Sequence, residues 1–95
     1  MRPQEINRNI DLAFKRFARD GNLIHFQKCK NHLEKRLEWF RKTEPELDFG
    51  FTNYMYCFKD EYNEEDIKHH LSYISDRWNC PGRINFMLEV INRGI

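Results

Sequence analysis

The sequence predicts a mainly α protein, and three observations carry that prediction. Apolar residues recur at helical spacing on both sides of Gly21-Asn22, an acid-rich helix start follows Asn63, and Pro81 and Gly94 bracket a last apolar run. The expected architecture is an N-terminal antiparallel helical hairpin, a short extended or β segment near 47–58, and one or two C-terminal helices. The alternative is an α+β arrangement with a strand at 83–91.

The first helix is expected from about Gln4 to Asp20, with Ile6, Ile10, Phe14 and Phe17 on one stripe and Ala13 beside them. Gly21 suits the left-handed residue that ends it. The second is expected from about Asn22 to Lys42, with Phe26, Cys29, Leu33, Leu37 and Phe40 as its apolar stripe and Pro45 closing the segment. So short a connection makes the pair antiparallel. Leu47, Phe49 and Phe51 then alternate with Asp48 and Gly50, which reads as extended chain or strand. Asn63 caps a third helix whose first turn holds Glu64, Glu65 and Asp66, where the helix dipole favours negative charge. Ile67, Leu71, Ile74 and Trp78 form its inner stripe. In the last segment Ile84, Phe86, Leu88 and Val90 alternate as in a strand, while Ile84, Met87, Leu88 and Ile91 fit a helix. The flanking Pro81 and Gly94 favour helix.

The 95 residues carry no internal repeat, no low-complexity tract and no long linker, so 1–95 is read as a single domain. Eight Phe, four Tyr and two Trp supply much of the burial that so short a chain needs. No apolar stretch approaches the ~20 residues of a membrane span, and no apolar run follows Met1 as a secretory signal requires. Cys29, Cys57 and Cys80 form neither a CxxC pair nor an even set, which fits a reducing, cytoplasmic compartment.

Charge is divided along the chain. Residues 1–44 carry 11 Lys/Arg against 6 Asp/Glu, and residues 45–95 carry 5 against 9, so a basic half (+5) precedes an acidic one (−4). Such asymmetry points to an interaction surface. On the outer face of the first helix Arg8, Lys15, Arg16 and Arg19 surround Leu12. On the second, Lys28, Lys35 and Lys42 recur every seven residues, flanked by His25, His32 and Trp39. The expected partner-binding residues are therefore Arg8, Lys15, Arg19, Lys28, His32, Lys35, Trp39 and Lys42. A cationic strip beside an indole can dock on an acidic protein or neutralise phosphates, although Glu34 and Glu38 interrupt it.

Phe49-Gly50-Phe51-Thr52-Asn53-Tyr54 resembles part of the aromatic strand motif of RNA-recognition-motif domains. Phe49, Gly50, Phe51 and Tyr54 match, and Leu47, Asp48 and Thr52 depart from it. The resemblance implies exposed aromatics that stack on bases. That family needs a strand before its first helix, whereas this chain opens with two helices, so these aromatics are expected to pack over the hairpin.

No catalytic motif is present, and His69-His70, Cys80 and Cys57 lack zinc-ligand spacing. No enzyme activity, cofactor or metal is expected. The reading is a small protein-binding regulator, an inhibitor, immunity-type or adaptor protein, that covers a surface of a larger macromolecule. The alternative is a nucleic-acid-binding accessory protein that uses the hairpin's basic face. Pairing of opposite-sign halves in a homodimer stays open.

Overall fold

Pro3 opens the first helix, where its missing N–H costs nothing and its fixed φ suits the turn. This helix, α1, spans Pro3–Asp20, with Glu5 in its first turn and Arg19 in its last, each matched in sign to the dipole. The computed structural model describes residues 3–50, 64–73 and 80–93. Ile6, Ile10, Ala13, Phe14 and Phe17 are all buried, as their spacing predicts. Gly21 ends α1 at φ +67°, and its N–H donates to the Phe17 carbonyl at 2.6 Å. Asp20 and Asn22 fix the turn: the Asp20 carboxylate accepts the Asn22 N–H at 2.8 Å and the Asn22 side chain accepts the Ile24 N–H at 3.0 Å.

The second limb departs from the expected continuous helix. It is broken at Cys29 into α2 (Ile24–Lys28) and α3 (Lys30–Thr43). Cys29 sits at φ −104°, ψ 17°, and its N–H reaches back three residues to the Phe26 carbonyl at 3.1 Å. The thiol donates to the same carbonyl at 3.4 Å. One tightened turn therefore interrupts the ladder, and Lys28 does not share a helical row with Lys35 and Lys42. The apolar stripe survives, because Phe26, Cys29, Leu33, Leu37 and Phe40 are all buried.

The two limbs are antiparallel. Phe17 and Phe14 meet Phe26 at ring separations of 5.1 and 4.9 Å, and Asn9 meets His32 at 3.2 Å, so residue numbers rise along one limb as they fall along the other.

Helix α4 spans Glu64–Tyr73 and begins with the expected acidic turn of Glu64, Glu65 and Asp66. Ile67 and Leu71 are buried in the common core. The capping role of Asn63 and the inner positions Ile74 and Trp78 lie outside the described residues.

Helix α5 spans Pro81–Arg93, which overturns the alternative strand at 83–91. Both patterns read in the sequence are satisfied at once: Ile84, Phe86, Met87, Leu88 and Val90 are all buried, and Ile91 packs against them. A helix with so wide an apolar stripe can pack against more than one neighbour. Accordingly α5 packs against both α3 and α2.

Of the extended or β segment expected near 47–58, the described part, residues 47–50, is non-helical chain and forms no strand. Among the described residues there is no strand, and residues 51–58 lie outside them. The Leu47 N–H donates to the Glu44 carbonyl at 3.2 Å, and the Asp48 carboxylate accepts the Gly50 N–H at 2.9 Å. A side chain that bonds its own backbone competes with a sheet ladder. The segment lies over the start of α5 instead, where the Asn85 amide donates to the Phe49 carbonyl. Phe49 packs against the core, while Phe51 and Tyr54, also expected over the hairpin, lie outside the described residues. Among the described residues no helix is long and apolar enough to cross a membrane.

Burial has a chemical consequence at Cys29. Desolvation pushes its thiol from 9.0 up to about 11, so it stays protonated at neutral pH. Because the folded value is the higher one, this group's contribution to stability is complete below pH 9 and is lost as pH rises toward 11. In single-cysteine variants at pH 8, a thiol reagent should label half-buried Cys80 rapidly and Cys29 only at the rate of global opening. Equal native rates would show that the Cys29 turn is open.

Candidate functional site

Helical spacing brings Arg36, Trp39 and Phe40 together, since residues three and four apart share a face. The Arg36 guanidinium carbon lies 4.4 Å from the centre of the Trp39 ring and 4.5 Å from that of Phe40. The two rings meet edge-on at 5.2 Å. Arg36 is only 8% exposed, and burial holds its pKa below the usual value, with Glu44 opposing the shift. A guanidinium shielded in this way gains about 1–2 kcal/mol from the aromatic faces.

Trp39 itself is 38% exposed. It borders a cleft of about 650 Å³ in which Phe40, Leu47 and Pro81 supply apolar surface and Glu44 and Asp48 supply negative charge. The chain reaches this place by turning back after α3, where the Glu44 N–H closes on the Phe40 carbonyl at 2.8 Å. Leu47, 39% exposed, is thereby set beside the indole.

The other expected site residues are distributed over two further places. Arg8 and Lys15 line a groove on α1 with Leu12, which is 37% exposed. Lys28 and His32 line a second pocket, between α1 and the other limb, that also reaches Leu12. Arg19 is exposed at the end of α1, and Lys35 is exposed on α3. Lys42 is exposed and paired with Glu38 at 3.0 Å, which holds the Glu38 carboxyl below its usual pKa. Thus Trp39 and the α1 cations do not form one continuous strip.

Arg36 was the residue missed by reading the sequence. Its signal was the i, i+3, i+4 relation to Trp39 and Phe40, which the search for an outward basic row passed over. Among the described residues no three His, Cys, Asp or Glu side chains lie close enough together to hold a metal ion.

Fold and site together define a small helical protein with a guanidinium-braced tryptophan beside an apolar, acid-lined cleft. Compared with known proteins, the chain matches no family model, no curated protein and no solved structure.

Proposed function

We propose that this chain is a small non-enzymatic protein-binding regulator, of the inhibitor, immunity or adaptor kind, that covers a surface of a larger macromolecule with Trp39 as its anchor. The observation that supports this is the half-exposed indole held against Arg36 at the edge of the cleft. Tryptophan and arginine dominate binding energy at interfaces, and an indole already braced loses little rotamer freedom on docking. Leu47 adds apolar area beside it. The opposite-sign halves would steer association and set register.

Trp39→Ala should weaken the partner complex by about 2 kcal/mol or more, roughly 30-fold, while Lys35→Ala changes it by less than ~0.5 kcal/mol. The check is calorimetry on a partner recovered by immobilised wild-type protein, with both variants compared. Equal affinity for wild type and Trp39→Ala would remove Trp39 as the anchor.

A second reading, nucleic-acid binding by the hairpin's basic face, is favoured by one observation. Among the described residues Arg8, Lys15, Arg16, Lys28 and Lys35 join no ion pair. Against it stands the formal net charge of only +1. A salt titration with random oligonucleotides separates the two, since phosphate contacts give a log-linear loss of affinity with salt.

A further inference from the structure

The pocket between α1 and the α2–α3 limb collects four basic side chains from three helices. Arg16 comes from α1, His25 and Lys28 from α2 and His32 from α3, around a volume of about 230 Å³. Ala13 and Cys29, both buried, also line it. The space holds several waters, enough for a tetrahedral oxyanion.

Each imidazole is fixed by a neighbour. His25 Nε2 lies 2.8 Å from the Asp20 carboxylate, whose pKa is lowered first by that hydrogen bond and then by the Asn22 N–H. At His32 the Asn9 amide donates to Nε2 at 3.2 Å, which leaves the proton on Nδ1. That Nδ1 is buried and finds no hydrogen-bond partner among the described residues. An unsatisfied buried donor costs about 1–3 kcal/mol, so keeping a histidine here works against stability. Arg16 and Lys28, both exposed, join no ion pair among the described residues, so no described acid offsets their charges at the pocket. Asp20 reaches this pocket only through His25, whose ring it holds.

We infer that this pocket is an oxyanion site that takes the phosphate group of a small phosphate monoester, with Arg16 and Lys28 opposing its two negative charges and His25 and His32 lining the space beside it. The arginine fork can take two oxygens at once and the lysine acts as a point charge. The site is separate from the Trp39 cleft and does not depend on the reading given there.

The test follows the imidazole resonances of His25 and His32 by NMR while inorganic phosphate is added at constant ionic strength. Saturable shifts with a Kd on the order of 1 mM are expected. The exposed pair Arg16→Gln and Lys28→Gln should weaken binding about tenfold or more, and Lys35→Gln should leave it within about twofold. A sugar phosphate competing with inorganic phosphate, where a single-stranded oligonucleotide does not, assigns the monoester as the source. Shifts that sodium chloride reproduces, or that survive both substitutions, overturn the site. Oligonucleotide binding with no saturable response to phosphate overturns it as well.

Discussion

Phe26→Ala should cost about 3–5 kcal/mol of folding stability. Phe26 is the one buried residue of α2, a helix of five residues with no side-chain cap, so little else holds that helix in place. Its ring is 1% exposed and contacts both Phe14, edge-on at 4.9 Å, and Phe17, tilted at 5.1 Å. Truncation removes two aromatic contacts and leaves a cavity where α1, α2 and α5 meet. For a domain of ordinary stability, about 5–15 kcal/mol, that is a large share of the total. Denaturant unfolding followed by circular dichroism measures it. Phe26→Leu, which keeps most of the volume, should cost less than ~1.5 kcal/mol. A loss below about 1 kcal/mol for Phe26→Ala would mean that α2 is not docked as described.

Gly82→Ala should also destabilise the fold, by about 1–3 kcal/mol. In an unconstrained helix this exchange gains up to about 1 kcal/mol from propensity. Here the new Cβ would collide with the Gly50 carbonyl oxygen and come within 3.5 Å of that of Asp48. Both are backbone atoms, which cannot swing aside as a side-chain tip does. The segment 48–50 must shift, and the Asn85 hydrogen bond to the Phe49 carbonyl is strained with it. Asn85→Ala alone should cost about 1 kcal/mol. Because the two sites share one contact, the double variant should lose less than the sum. Additive losses, or a Gly82→Ala protein more stable than wild type, would refute the close approach of this segment to α5.

Legibility from sequence followed a physical division. Stripes on α1 and on the second limb could be read because each helix has one wet side, which imposes the 3.6-residue period. The acidic first turn of α4 and the left-handed Gly21 were legible because they depend on neighbours within a few residues. The break at Cys29 was not, since no proline or glycine marks it and the apolar stripe runs through it unbroken. Helix α5 was ambiguous for a different reason. Its buried residues, Ile84, Phe86, Met87, Leu88 and Val90, make a stripe wide enough to fit both periods, while Asn85, Glu89, Asn92 and Arg93 hold a narrower polar face. The alternation at 47–51 suggested a strand, but Asp48 spends its carboxylate on its own backbone.

The candidate site was legible only in pieces. Trp39 stood out by type, and its partial exposure could not be foreseen, because it depends on where Leu47 and Pro81 return in space. Arg36 was hidden by its charge, which places it by habit among solvated residues. The outward lysines were identified as a heptad row, and the turn at Cys29 divides that row between two helices. What joins Arg16 to Lys28 and His32 is the hairpin crossing itself, a relation between residues 12 and 16 positions apart that a helical wheel does not display.

The packing of α5 on α3 and α2 also sets a schedule. Residues 44–80, 37 in all, lie between the end of α3 and the start of α5. At roughly 5–20 residues per second, the ribosome adds α5 about 2–7 seconds after completing the hairpin. For that interval α3 is covered by α1 but lacks its second large neighbour, and the part of its apolar stripe that α5 covers stays exposed. Protease sensitivity of a nascent chain arrested before Pro81 would measure that exposure. Thus α5 emerges well after the α2 and α3 surfaces that it covers.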